Sequence, residues 1–209
     1  MSSESVTAIT PIAGGSSVTR NRRQEETFRK VLTAAVEMLR ETSYADLTVR
    51  AVAKRANVAP ATAYTYFSSK NHLVAEVYLD LVRQVGFFTD VNESQSTRVD
   101  AALRNLALVV ADNPELAAAC TTALMSGNDE AVRTVREQIG TEIYRRIVTA
   151  IGPGADRRTV DALQMTFFGA LVQAGSGAYT YHQIAERLTF VVGLILPPGE
   201  AATPREGER

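Results

Sequence analysis

Cysteine, histidine and tryptophan are almost missing from this chain. Its 209 residues hold one cysteine (Cys120), two histidines (His72 and His182) and no tryptophan. A single thiol excludes a disulfide scaffold and a thiolate metal cluster. Two histidines cannot build a multi-histidine metal site without several carboxylates. Long apolar runs are also missing. The longest, Phe190 to Pro198, falls well short of the roughly 20 residues of a membrane-spanning helix. No basic start leads into an apolar core, so there is no signal peptide to read, and the cytoplasm is the expected compartment, with no membrane partner. Strand signals are scarce: there is no Asn-Gly or Asp-Gly hairpin turn and no long alternation of β-branched residues. No HExxH, GxSxG, P-loop or GxGxxG pattern occurs. That argues against a small helical enzyme, and neither a catalytic residue nor a cofactor is expected.

What is present is ordinary globular material, 45% hydrophobic and 22% charged. The net charge of −1 conceals an asymmetry. Arg20 to Arg83 carries eleven basic and seven acidic residues, whereas the remainder carries eleven and sixteen. A basic front on an acidic body suits a polyanionic partner at one end. Residues 1–19 and 197–209 lack sustained periodicity and read as a disordered arm and tail. Between them the spacing of apolar residues predicts nine helices and no sheet, at about 22–41, 48–55, 60–66, 69–88, 98–111, 114–126, 129–151, 157–177 and 180–196. Phe28, Val31, Leu32, Ala35, Val36 and Leu39 form the stripe of the first.

The informative segment runs from Leu47 to Lys70. Thr48 is a natural N-cap, with Leu47 and Val52 at staple spacing around it. Asn57 is the residue other than glycine that best tolerates the left-handed conformation of a tight turn. Val58 plugs the space between two short helices, and Pro60 opens the second where its missing N–H costs nothing. Two short helices joined by a tight turn make a helix-turn-helix over about 48–67. On the second helix, Ala59, Pro60, Ala61, Thr62, Thr65 and Tyr66 are small or hydroxyl-bearing, which allows close approach to a partner and contacts to phosphates or base edges. Arg50, Lys54, Arg55 and Lys70 lie around this face, along with Arg20, Arg22 and Arg23 of the preceding arm.

These residues resemble the TetR-type transcriptional regulators. The likeness rests on Thr48-Val-Arg-x-Val-Ala-x-x-Ala-Asn-Val-Ala59, on Tyr64-x-Tyr66-Phe67 and on Ser69-Lys70, and it covers about 45–90. It implies an all-α protein with a three-helix DNA-binding domain over 20–68 and a ligand-binding and dimerisation domain over 69–196. By the same likeness Thr62, Tyr64, Thr65 and Tyr66, on the helix that begins at Pro60 and Ala61, face DNA; Thr48 and Arg50 hold the backbone; Lys70 clamps a phosphate. Three positions depart from the family pattern. Asn57 stands where glycine is common, Ala59 replaces a capping serine at a cost of about 1 kcal/mol, and Ala63 replaces a larger aliphatic residue. Together they suggest a soft headpiece.

In the body, the helices at 157–177 and 180–196 are apolar and rich in small residues, which suits a four-helix interface between two copies. A homodimer would place two recognition helices on a palindrome with half-sites about 34–36 Å apart or a multiple of that. Candidate pocket residues are Phe87, Phe88, Leu103, Leu106, Met125, Tyr144, Met165, Phe168 and Tyr179, with Gln164 and Gln173 as polar handles. Such a lining favours a lipophilic small-molecule effector over a sugar or nucleotide. Cys120 reads as an inert packed thiol and His72 as a solvated residue beside the DNA face. The function these residues imply is a ligand-responsive repressor that binds double-stranded operator DNA as a homodimer. The alternative is a helical DNA-binding or architectural factor without an effector.

Overall fold

The computed structural model describes residues 22–127 and 129–196. The arm over 1–19, Arg20 and the tail over 197–209 lie outside them. Among the described residues there are nine α-helices and no strand: α1 (Arg22–Glu41), α2 (Val49–Arg55), α3 (Pro60–Tyr66), α4 (Lys70–Gln84), α5 (Gln95–Leu108), α6 (Pro114–Met125), α7 (Glu130–Ile151), α8 (Arg157–Gly175) and α9 (Tyr181–Ile195).

Most boundaries follow local chemistry that the sequence displays. Thr48, Ser69, Asn113, Asp129, Asp156 and Thr180 each cap a helix through a side-chain oxygen. The fifth helix departs from expectation. It starts at Gln95 because Ser94 accepts the Thr97 N–H, and it ends at Leu108, leaving 109–112 as turns before the Asn113 cap. The fourth ends at Gln84 rather than near 88, because Val85 turns to extended backbone, and the eighth is also shorter than expected. Gly177 takes a left-handed φ of 77°, and the N–H groups of Gly177 and Ala178 bond back to Ala174 and Gln173, a Schellman stop. Two residues earlier, a Cβ added at Gly175 would lie 2.4 Å from the Thr121 methyl, so glycine sets the close approach of α8 to α6.

One apolar core runs from Phe28 to Val192 through the whole molecule. Helices α1, α2 and α3 pack on each other, with Phe28 stacked on Phe67 at 5.0 Å between ring centres. Helix α4 is the shared wall: it packs against α1, α6 and α7 and buries Leu73, Val74, Ala75, Val77, Tyr78, Leu79 and Val82. Behind it, α5 packs on α7 and α9, and α8 packs on α7 and α9.

The carbonyls that end a helix need donors, and here arginines from neighbouring helices supply them. Arg146 of α7 is almost fully buried. Its Nε donates to the Val85 carbonyl (3.1 Å), and its Nη2 donates to the carbonyls of Arg83 (3.1 Å) and Val85 (3.0 Å), at the C-terminus of α4. Its Nη1 donates to the Glu142 carboxylate at 2.8 Å. Burial pushes the Glu142 carboxyl up, but the hydrogen bond and charge of Arg146, helped by Arg145 and Arg83, outweigh it and hold the group below its ordinary 4.5. In the same manner Arg98 of α5 closes α7, with Nε donating to Ala150 O (2.8 Å) and Nη2 to Ile151 O (3.3 Å).

Replacing Arg146 with alanine leaves the α4 carbonyls without their donor and takes from Glu142 its shortest partner, at a cost of about 3 kcal/mol. The melting temperature should fall by about 6–12 °C, whereas Arg145→Ala, at an exposed site, should change it by about 2 °C or less. Because the folded Glu142 carboxyl lies below its ordinary value, the stability it contributes is full above about pH 4.5 and is lost as the pH falls through the folded pKa. Urea midpoints between pH 7 and 3 check this: the gap between parent and Arg146→Ala should narrow on acidification.

Candidate nucleic-acid interface and effector cavity

The turn between α2 and α3 is a second Schellman stop. Asn57 sits at φ 54°, the one left-handed non-glycine residue among those described. The Asn57 N–H bonds to Lys54 O at 3.1 Å and the Val58 N–H to Ala53 O at 2.9 Å. Pro60 takes the first position of α3, and Ala59 offers no side-chain cap. Only Ala63 of α3 is buried, beside Phe67 in the headpiece core.

Every other α3 residue reaches the surface. Pro60, Ala61, Thr62, Tyr64 and Thr65 are exposed, and Tyr66 is half-buried, edge-on to Phe28 at 6.0 Å. Tyr64 is 52% exposed. The Thr65 hydroxyl donates back to Thr62 O at 2.6 Å. A shallow groove between α2 and α3 is lined by Thr48, Arg50, Ala51, Lys54, Asn57, Val58, Ala59 and Pro60. Residues 47–75 contain no aspartate or glutamate, so nothing along this segment cancels Arg50 and Lys54.

The remaining expected cations are placed differently. Arg55 forms a two-pronged pair with Glu41 (2.6 and 2.9 Å) and reaches Glu37 at 3.6 Å, so it joins α2 to α1. The Lys70 ammonium donates to the carbonyls of Tyr44 (2.9 Å) and Ala45 (3.3 Å) and sits 4.3 Å above the Tyr44 ring. Asn71 accepts a hydrogen bond from the Tyr44 hydroxyl. Lys70 and Asn71 thus bind the α1–α2 loop to the start of α4. His72 is not the solvated residue expected. Its Nδ1 accepts from the Ser68 N–H at 3.2 Å, its Nε2 lies 3.6 Å from Glu76, and its ring meets Phe67 edge-on.

At the same junction the Ser69 hydroxyl donates to Asp129 Oδ2 at 2.6 Å, while Asp129 Oδ1 accepts from the first N–H groups of α7. The Ser69 bond, with those backbone donors and the charge of His72, outweighs burial and holds the Asp129 carboxyl below its ordinary range.

The body contains a cavity of about 320 Å³. Its walls are Tyr78 of α4, Cys120, Thr121, Leu124 and Met125 of α6, Arg136 and Ile139 of α7, Phe168, Leu171 and Val172 of α8, and Tyr181 of α9. Of the residues expected around a pocket, Met125 and Phe168 line it. The others lie elsewhere. Phe87 covers the Arg146 guanidinium at 4.8 Å, and Tyr179 carries Arg187 at 4.0 Å over its ring. Leu103 and Leu106 are buried in the α5 core. Phe88 packs against the core edge, and Tyr144 and Met165 point to the surface. Gln164 donates to Gly140 O at 2.9 Å. The sequence reading missed Tyr78, Arg136 and Tyr181. Each looks in the sequence like part of an ordinary helix stripe or solvent face, and only packing turns it inward. Burial pushes the Tyr78 and Tyr181 phenols and the Cys120 thiol up, so all three are neutral at physiological pH.

Two more features bear on partners. Met165, Phe168 and Val172 of α8 and Phe190 and Leu194 of α9 form exposed apolar surface. No helix of the described residues is long and apolar enough to cross a membrane.

Residues 31–77 match the family described as bacterial regulatory proteins, tetR family. An uncharacterized HTH-type transcriptional regulator of Mycobacterium tuberculosis (strain H37Rv) is 72% identical over 180 residues, covering 86% of this chain and 84% of that protein. The HTH-type transcriptional repressor KstR of Rhodococcus jostii is 26% identical over 182 residues, covering 84% of this chain and 85% of its own. A crystal structure of a TetR transcriptional regulator from Rhodococcus sp. RHA1 superposes with a TM-score of 0.72 at 24% identity, covering 84% of this chain and 98% of that one.

The uncapped start of α3 is a weak point that one hydroxyl can mend. Ala59→Ser should raise stability by about 1 kcal/mol, seen as a melting temperature about 2–4 °C higher. An unchanged transition would mean that the first N–H groups of α3 are already satisfied.

Proposed function

We propose that this chain, which belongs to the tetR family of bacterial regulatory proteins and is an HTH-type transcriptional regulator, is a repressor that binds palindromic operator DNA as a homodimer and leaves it when a small lipophilic molecule fills the body cavity. The observation that carries the DNA reading is the α3 surface. Five consecutive-turn positions of small or hydroxyl-bearing character stand exposed, next to an acid-free groove with two cations. Phosphates fix register through Thr48, Arg50 and Lys54, while Thr62, Tyr64, Thr65 and Tyr66 meet base edges and thymine methyl groups. Pro60 and Ala61 are low in bulk, which lets the α3 backbone approach the groove. Lys70 spends two of its three N–H donors on the loop carbonyls, so a phosphate contact uses the third.

The exposed apolar strip on α8 and α9 supports a homodimer through these two helices. The likeness to a named repressor supports the direction of regulation. The route from cavity to headpiece is short. Met125 lines the cavity at the end of α6. Asp129, four positions further along the sequence, accepts from the Ser69 cap of α4. Ligand and DNA then favour different settings of α4, and each weakens the other by the same factor.

DNA affinity against salt tests the first half. A log–log slope of several units is expected, and a flat response would remove phosphate binding from the function. On a site selected from a random duplex pool, Thr62→Ala and Tyr64→Ala should each cost roughly 1–3 kcal/mol per half-site, with little effect on non-specific duplex. Arg50→Ala should weaken both alike.

A further inference from the structure

Three arginines reach the C-terminal carbonyls of a neighbouring helix, and one of them is not used up. Arg146 and Arg98 each spend Nε and both terminal nitrogens on protein acceptors. Arg136 donates from Nη1 to Leu124 O at 3.0 Å, and no other hydrogen bond or ion pair engages it among the described residues. Its Nε and Nη2 are left without an acceptor. Yet Arg136 is half-buried and lines the cavity, where every other wall residue is apolar or neutral. The free edge of this half-buried guanidinium borders an apolar wall and gains no counter-charge from the protein among the described residues.

The geometry points to an amphipathic carboxylate as the occupant of this cavity, with its head paired to the free edge of Arg136 and its hydrocarbon body against Ile139, Phe168, Leu171 and Val172. This inference rests on the reading of the cavity as an effector site and names the class of molecule it takes. A planar carboxylate matches the two-pronged edge of a guanidinium, and the low polarity around the pair strengthens it. About 320 Å³ holds a molecule of roughly a dozen non-hydrogen atoms, at about 30 Å³ for each, as for a liquid water. A medium-chain fatty acid or a bicyclic aromatic acid is of that size. Arg136 Nη1 keeps its bond to Leu124 O near the end of α6, so the anion lies close to where the chain leads on to Asp129.

Decanoate and 1-decanol differ in the head and little in bulk, so they serve as probes. Calorimetric titration of the full chain at pH 7.5 should show decanoate binding at least tenfold more tightly than 1-decanol. Arg136→Met should remove that preference while keeping the affinity for 1-decanol. Arg136→Lys, which keeps the charge without the fork, should fall between, and its melting curve reports whether loss of the Leu124 bond alone disturbs the fold. Equal affinity of the parent for both probes, or an unchanged preference in Arg136→Met, would overturn the assignment and leave Arg136 as a helix cap only. Binding of neither probe would overturn it also. The effector-released repressor reading is judged separately: bound decanoate that leaves the affinity for the selected duplex unchanged contradicts release, not the carboxylate site.

Discussion

Ser69 and Asp129 each cap a helix, and a 2.6 Å hydrogen bond joins the two caps. That bond sits where helices α1–α3 meet the body, and it ties the start of α4 to the start of α7. The rest of α4 is tied with equal care. At its start, Lys70 and Asn71 grip the α1–α2 loop through Tyr44 and Ala45. In its middle, Tyr78 forms part of the cavity wall. At its end, Arg146 holds the carbonyls of Arg83 and Val85. Fifteen residues of helix span about 22 Å, and close packing along its length lets strain at one point reach the rest. Under the proposed function this is how a molecule held near Tyr78 and Met125 is felt at the headpiece.

The same economy of donors separates structural from functional charge. Arg98 and Arg146 spend every side-chain nitrogen on protein acceptors, which lets Arg146 lie almost fully buried and Arg98 half-buried. Arg55 and Lys70, cations that sequence alone could assign to DNA, spend most of their bonding on neighbouring elements and shape the headpiece. Arg50 and Lys54 line the groove with no carboxylate along residues 47–75 to answer them. Arg136 faces an apolar space with donors to spare. Under the proposed function, unspent bonding capacity, more than charge itself, marks the surfaces that meet a partner.

The headpiece was legible in the sequence because its architecture is written in local chemistry. Asn57 announced a left-handed turn, Pro60 a helix start and Thr48 a cap, and each is a property of one residue and its near neighbours. Helix α5 was misplaced at both ends because Ser94 caps it from within a run of polar residues that gives no apolar period. The cavity was legible only in its chemistry. Of the residues expected around a pocket, Met125 and Phe168 line the cavity, whereas Phe87 and Tyr179 cover arginines. Tyr78, Arg136 and Tyr181 converge from α4, α7 and α9, and no spacing along the chain reveals such a meeting. His72 was misread for the same reason: its partners Ser68 and Glu76 occupy both ring nitrogens only once the helix has formed.

Amide hydrogen exchange of the full chain, with and without a selected duplex, tests most directly whether the front of the molecule meets DNA. Slowed exchange confined to residues 48–70, strongest over α3, is the expected result, with α8 and α9 unchanged. Protection of α8 and α9 with an unaltered α3 would contradict a headpiece mode of binding.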